Sequence, residues 1–229
     1  MTIRSAVWAA LGTVLDPEID EPITDLGFVE SCTVADGVAT VRLRLPTFFC
    51  APNFSWLMVA DAYDAVSAVP GVTRAEVTLA DHHASAEING GVAAQSGFVR
   101  SFAGEAVAEL DELRRQFFRK AALAGQDRVA RPLVDAGMGP DELAATTLGD
   151  LAPSGELDRM RKRRAELGLP HDDRAPLLID AEGRAIPPAA VPLHLRRARL
   201  QRVGIETNGA NCTDLLRTRY RQAAGAHPG

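Results

Sequence analysis

Polar and apolar side chains alternate most regularly over residues 28–45, in two runs that flank Asp36 and Gly37. An Asp-Gly pair between two β-rich runs is a strong hairpin signal, because these residues tolerate the positive φ angles of a tight turn. The alternation over residues 38–45 predicts a strand with one buried and one solvated face. A similar alternation over residues 72–80 predicts a third strand.

Helical spacing of apolar residues brackets these strands, over residues 3–14 and 53–69. Asn53 or Ser55 is a candidate cap for the second helix, and a Pro-Gly pair ends it. The element order is then α-β-β-α-β within about 75 residues. We therefore predict a small α+β domain, a three-stranded sheet with helices on one face.

The remainder of the chain has a different texture. A stretch rich in Gly and Ala follows the third strand, and helical patterns dominate after it. We predict a small α+β domain over residues 1–81, a linker over 82–97 and a mainly α-helical region over 98–229. Within that region the patterns predict helices over 101–123, 126–136, 140–150, 155–167, 189–203 and 212–222, a small hairpin over 175–186, and a polar loop over 204–213.

Charge and composition narrow the class of protein. The net charge of −5 divides into −8 over residues 1–97 and +3 over residues 98–229. Phosphates would be repelled by the acidic part, so we expect no nucleic-acid partner. No apolar run reaches the roughly 18 residues that cross a bilayer, and no signal-peptide cleavage site is evident. We expect a cytoplasmic protein without a membrane partner.

Three widely spaced cysteines, Cys32, Cys50 and Cys212, do not suggest a disulfide scaffold. Cys50 follows the second predicted strand and precedes a helix, whose N-terminal N–H groups would favour a thiolate of lowered pKa. Such a thiolate could bind a soft metal ion or act as a nucleophile. A buried filler is the alternative for Cys50, and a core position is predicted for Cys32.

Other candidate ligands are less specific. The acidic segment 16–21 could hold an iron ion or be a solvated loop. His82 and His83 could ligate iron, although adjacent side chains of an extended chain point to opposite sides. Cys212 lies near a predicted helix start, so the argument made for Cys50 applies to it too. The alternative is an ordinary loop in which Asn211 caps the helix. These two histidines and Cys212 are secondary candidates.

The motifs combine into a recognisable order: Leu15-Asp16-Pro17-Glu18-Ile19, then Asp25-Leu26-Gly27, then the hairpin, then Thr47 and Cys50 with a nearby proline. This order resembles the SufT/PaaD-type domain of iron–sulfur cluster assembly factors, over about 75 of the 229 residues. The resemblance implies an α+β fold and a role in maturing iron–sulfur or iron-dependent enzymes. It also implies metal contacts by Cys50, Asp16 and Glu18, and a structural motif of Pro17, Asp25, Gly27 and Thr47.

One departure from the family pattern stands at the cysteine. The family shows proline directly after it, whereas Ala51 intervenes here and the bulky Phe49 precedes it. A single cysteine cannot hold a [2Fe–2S] cluster, whose usual complement is four thiolates. A homodimer or a receiving protein would have to supply the others.

Three functional hypotheses follow. The first is a non-catalytic maturation factor that binds iron or an iron–sulfur cluster transiently. Its helical region would recognise other assembly proteins or a client metalloenzyme, such as an iron-dependent oxygenase. The second is an adaptor or chaperone that works by protein–protein interaction without metal. The third is an enzyme with Cys50 as nucleophile and His82 or His83 as base.

Overall fold

The predicted three-stranded sheet is present in the computed structural model, which describes residues 2–104, 106 and 108–225, with side chains to 220. Its strands are β1 (Val29–Ala35), β2 (Val38–Arg44) and β3 (Arg74–Ala80). β1 pairs with β2 antiparallel, and β2 pairs with β3 parallel, in the order β1-β2-β3. The α+β class and the three strands are therefore confirmed.

The hairpin and the buried face also follow the sequence pattern. Asp36 and Gly37 have φ angles of 50° and 78°, the left-handed values that a two-residue hairpin turn requires. Cys32, Val41 and Val77 occupy neighbouring positions across the three strands, and all three are buried. The core position predicted for Cys32 is confirmed.

Helices α1 (Ile3–Leu11) and α2 (Pro52–Ser67) bury apolar residues in the same core. The helix α2 begins at Pro52, whose fixed φ suits a first helical position. Its cap residue is Ala51, which makes no side-chain bond, so the predicted caps Asn53 and Ser55 were wrong. Ser55 instead donates from its hydroxyl to the Ala51 carbonyl.

The segment predicted as a linker contains a helix, α3 (Ser85–Ala93), followed by the short α4 (Phe98–Ser101). Ile88 and Val92, one helical turn apart, are buried in the core of the sheet domain. Asn89 bonds the N–H and the carbonyl of Leu79 in β3, at 2.7 and 3.0 Å. A Gly- and Ala-rich composition suggested a loop, but these apolar and amide contacts fix a helix.

The chain divides into two compact units. The first unit comprises Met1–Asp111 and Thr207–Gly229, and the second unit comprises Glu112–Glu206. The first unit is therefore built from two separate stretches of sequence. Its C-terminal stretch belongs to a single helix, α8 (Val191–Gly225), so the loop predicted over 204–213 is helical instead.

The second unit is mainly helical, as predicted. It contains most of α5 (Asp111–Asp135), α6 (Pro140–Ala145), α7 (Gly155–Glu166) and α8 up to Glu206. Two short 3-10 turns lie at Leu148–Asp150 and Pro188–Ala190, and the hairpin predicted over 175–186 is a single bridge between Ile179 and Ala185. Within the described part of the chain, no helix combines the length and apolar character needed to cross a membrane.

Leu216 of α8 provides a test of whether the C-terminal stretch stabilises the first unit. Its side chain is 5% exposed in the core of that unit, whereas the neighbouring Leu215 is 50% exposed. Leu216→Ala is expected to lower the free energy of unfolding by about 2–3 kcal/mol, because it removes buried methyl groups and leaves a cavity. Leu215→Ala is the matched control, with an expected change below about 0.5 kcal/mol. Urea unfolding followed by tryptophan fluorescence measures both, and equal midpoints for the two variants would contradict the placement.

Candidate functional site

Two loops meet at one edge of the sheet, because β2 and β3 run parallel and end on the same side. Cys50 lies in the loop after β2, and His82 follows β3. The His82 Nε2–H donates to the Cys50 carbonyl at 2.7 Å, and the His83 N–H donates to the Phe48 carbonyl at 3.1 Å. Ligand sites in sheets with parallel strands commonly lie at such carboxyl ends.

The hydrogen bonds of His82 define its tautomer. Its Nδ1 accepts from the Ala84 N–H at 3.1 Å, so the ring proton lies on Nε2, which donates to Cys50. Burial lowers the pKa of His82, which keeps the imidazole neutral. Both nitrogens are engaged with protein groups, so His82 orients the Cys50 backbone and offers no free lone pair to a metal ion.

The Cys50 thiol is half-buried and lies 3.3 Å from the Thr47 hydroxyl. The first residue of α2 is Pro52, which has no N–H, and the Phe54 N–H bonds to the Asn53 side chain at 2.9 Å. Neither Pro52 nor Phe54 therefore offers a free N–H to the thiol, and the hydrogen bond that the structure shows is with a side chain. Thr47, predicted as part of the structural motif, is the residue that makes it.

Exposed aromatic side chains border this loop. Phe49 is 77% exposed and packs edge-on against Phe48, with ring centroids 5.0 Å apart. The His83 ring lies 5.7 Å from Phe49 and 4.5 Å from His82. The prediction that the two histidines point to opposite sides was wrong, because the chain turns there: the Ser85 N–H donates back to the His82 carbonyl at 3.1 Å.

The acidic segment forms a closed loop, residues 15–22, here called the acidic loop. A bridge between Leu15 and Pro22 closes it. Asp16 is buried inside, and its Oδ1 accepts from the N–H groups of Glu18 and Ile19 at 2.8 and 2.9 Å. Burial raises the pKa of Asp16 to about 6, although both backbone bonds oppose the shift. A buried carboxyl with one oxygen still unused by these bonds is thus held in place.

The other motif residues shape turns beside this loop. Pro17 follows Asp16 at the start of the turn that the two backbone bonds close. Asp25 is exposed, and its carboxylate accepts from the Thr24 hydroxyl at 3.1 Å. Gly27 has a φ of 75°, a left-handed value that favours glycine, so its role in the DLG motif is conformational.

The C-terminal stretch of α8 packs on the acidic loop. The Asn208 side chain donates to the Glu18 carboxylate at 3.4 Å. A Cβ added to Gly209 would lie 3.0 Å from the Ile19 side chain, so glycine permits the close approach. Further along, Arg219 donates to the Leu45 carbonyl at 3.0 Å and to Asp81.

Cys212 lies one turn beyond Asn208, half-buried against the core of the first unit. Burial raises its pKa to about 11, and the negative charges of Asp16, Cys50 and Glu18 raise this pKa as well. Asn208 and Gly209, on the turn before Cys212, contact Glu18 and Ile19, so Cys212 lies close to the acidic loop. Within the described residues, no three His, Cys, Asp or Glu side chains converge closely enough to hold a metal ion.

Sequence patterns missed the contribution of Asn208, Gly209 and Arg219. A glycine inside a helical pattern often marks a close packing contact, and this signal could have placed Gly209 against another element. No pattern in the sequence indicated which element that would be, because Ile19 and Gly209 are far apart along the chain.

Comparison with known proteins gives matches to the N-terminal part of the chain. Residues 4–79 match the model of the family described as Iron-sulfur cluster assembly protein. Proteins named Iron-sulfur cluster carrier protein, from Mycobacterium bovis and two strains of Mycobacterium tuberculosis, are 36% identical over 78 residues. The match covers 34% of this chain, and the chain spans about a fifth of the length of these relatives. The resemblance predicted from the DPEI and DLG motifs to the iron–sulfur cluster assembly family is thus confirmed, over residues 4–79.

Proposed function

We propose that the protein is a non-catalytic iron–sulfur assembly factor, which binds iron or an iron–sulfur cluster at Cys50 as cargo for another protein. The observation that carries the proposal is the placement of Cys50. Its half-buried thiol contacts Thr47 at the carboxyl edge of the sheet, inside the region that matches the assembly family. The names of the relatives support the same role.

The donor set suits cargo that is held briefly. Thiolate sulfur favours iron–sulfur clusters and soft metal ions, and the carboxylates of Asp16 and Glu18 suit a harder iron ion. Within the described residues no group of three His, Cys, Asp or Glu side chains can hold a metal ion, so the ligands that complete the coordination come from another molecule. A second copy of this chain, another assembly protein or the client would supply them. Incomplete ligation also favours transfer, because the receiving protein can complete the coordination.

We also propose the compartment in which the protein works and the class of client that it serves. The cysteines Cys32, Cys50 and Cys212 are free, which suits the reducing cytoplasm. The client would be an iron-dependent enzyme, such as an oxygenase component, recognised through the mainly helical region that follows the matched domain.

The structure disfavours catalysis by Cys50 with His82 as general base. A base needs an unprotonated nitrogen within reach of the thiol proton. In His82, Nδ1 accepts from a backbone N–H and Nε2 carries the proton that Cys50 accepts at its carbonyl. The histidine therefore holds the loop and has no free position for the proton of the nucleophile.

Anaerobic reconstitution tests the proposal. Wild type, Cys50→Ala and the control Cys32→Ala are incubated with ferrous iron and sulfide, desalted, and assayed for iron, sulfide and visible absorbance. We expect wild type and Cys32→Ala to retain iron with sulfur-to-iron absorbance, and Cys50→Ala to retain much less of both after desalting. The control removes a thiol that is buried in the sheet and cannot reach the cargo.

Two results would contradict the proposal. Iron content in Cys50→Ala equal to that of wild type would show that the cargo binds elsewhere. If folded wild type binds no iron, the protein does not carry iron itself, and the adaptor hypothesis remains.

A further inference from the structure

One face of α8 is fixed on the first unit by contacts at regular helical intervals. Asn208, Cys212 and Leu216 are spaced four residues apart, so their side chains lie on the same face, one turn above the next. Asn208 contacts Glu18 at one end of this face, and Leu216 is buried near Gly27 at the other end. The contact face therefore directs Cys212 into the first unit, between these two anchors.

The elements around Cys212 are those of the candidate cargo site. Gly209, three residues before it, approaches Ile19 of the acidic loop. Arg219, seven residues after it, bonds the carbonyl of Leu45, at the end of β2 just before the loop that carries Cys50. Cys50 and Cys212 both pack against the same hydrophobic core. The helix thus passes from the acidic loop to Leu45, five residues before Cys50, and Cys212 lies between these two contacts.

We propose that Cys212 is a second protein ligand of the cargo, so that Cys50 and Cys212 together bind a thiophilic metal ion or one edge of an iron–sulfur cluster. The inference rests on the proposed function, because it takes Cys50 as the first ligand. Cys212 lies outside the segment that matches the assembly family, which ends at residue 79. This chain therefore adds a ligand through its C-terminal helix.

Two thiols give a coordination count that fits transient carriage. Each thiol releases its proton to solvent as its sulfur bonds the metal ion, so binding strengthens as pH rises. Two positions of a tetrahedral ion remain for water, sulfide or the ligands of another protein. A second ligand in the same chain bonds at a high effective concentration, and it strengthens binding without any new partner.

Cobalt(II) alone serves as the probe, since its sulfur-to-metal absorbance grows with the number of thiolates bound. Titrations are carried out anaerobically on wild type, Cys50→Ser, Cys212→Ser and the double variant. We expect each single variant to show about half the charge-transfer absorbance per bound ion and about tenfold weaker binding, because the chelate is lost. The double variant should show no such absorbance.

Two glycine variants test the position of the helix without removing a thiol. Gly209→Leu places a large side chain against Ile19, where even a Cβ would lie at 3.0 Å, and should displace the stretch that carries Cys212. Gly204→Leu is the matched control on the same helix, because a Cβ there meets nothing within 4 Å. We expect Gly209→Leu to reproduce the cobalt spectrum of Cys212→Ser, and Gly204→Leu to match wild type.

The outcomes separate this inference from the proposed function. If Cys212→Ser matches wild type in absorbance and affinity while Cys50→Ser loses both, the second ligand is refuted and carriage at Cys50 stands. If folded wild type binds neither cobalt nor iron, both are refuted. Circular dichroism of each variant confirms that a loss of binding does not reflect unfolding.

Discussion

Replacing Arg164 with alanine is expected to lower the free energy of unfolding of the second unit by about 3–5 kcal/mol. Arg164 of α7 is fully buried, and its guanidinium donates to the carbonyls of Pro176 and Leu177. Burial lowers its pKa to about 10, and its Nε–H has no hydrogen-bond partner within the described residues. Alanine would leave two carbonyls without donors and open a cavity where the side chain stood.

The measurement must report on the second unit. Both tryptophans, Trp8 and Trp56, lie in the first unit, so their fluorescence follows that unit instead. Hydrogen exchange of peptides from residues 140–206, followed by mass spectrometry in increasing urea, isolates the second unit. Arg159→Ala is the matched control: Arg159 lies on the same helix, half-exposed and paired with Glu156, and should cost less than about 1 kcal/mol.

Arg164→Lys refines the test, because lysine keeps the charge but loses the planar fork that reaches two carbonyls at once. Its stability should lie between wild type and Arg164→Ala. Equal exchange protection in Arg164→Ala and Arg159→Ala would show that the buried guanidinium does not hold the segment from Pro170 to Leu178 in place.

Asp16→Asn is expected to stabilise the metal-free first unit by about 3 kcal/mol at pH 7.5 and to leave stability nearly unchanged at pH 4. The pKa of Asp16 is about 6 in the folded state, against 3.8 for the same carboxyl in an unfolded chain. The folded state therefore binds the proton more tightly. Its stabilisation is complete below pH 3.8 and is lost as pH rises through 6. Asparagine keeps an oxygen that can accept from the Glu18 and Ile19 N–H groups but carries no charge to bury.

The difference between the two proteins isolates this group, because other carboxylates titrate equally in both. Urea unfolding with chelator present, followed by tryptophan fluorescence at several pH values, gives that difference directly. A stability difference independent of pH would show that Asp16 ionises normally. A stabilised variant that also binds less iron would support the prediction that Asp16 contacts the cargo, since the destabilising charge would then serve binding.

The elements of the first unit that depend on local periodicity were predictable. The alternation of polar and apolar residues predicted β2 correctly, because one face of this strand is buried and the other is exposed. The Asp36-Gly37 pair predicted the hairpin turn. The motif that includes Cys50 was also visible, because the Asp-Pro-Glu-Ile and Asp-Leu-Gly strings are short and local. What these strings do not encode is the contact between the Thr47 hydroxyl and the thiol.

Long-range packing explains why the helical conformation of residues 204–213 was not predicted. Gly204, Asn208 and Gly209 have low intrinsic helix propensity, so a loop was predicted over 204–213. Two of these residues have tertiary roles that outweigh propensity: Gly209 admits Ile19, and Asn208 bonds Glu18. A single sequence indicates that such residues destabilise a helix. It does not indicate the tertiary contact with a distant residue that offsets this effect. The placement of Cys212 beside the acidic loop was unpredictable for the same reason.

The discontinuity of the first unit has a consequence during synthesis. A ribosome releases the acidic loop and the Cys50 loop long before it releases Thr207 and the residues after it. The second unit, about 95 residues long, is translated in between, which takes about 5–20 s at ordinary elongation rates. For that interval the nascent chain presents the acidic loop and the end of β2 without the helix that packs on them. An assembly factor that met the chain on the ribosome would therefore encounter a more open site than the finished protein offers.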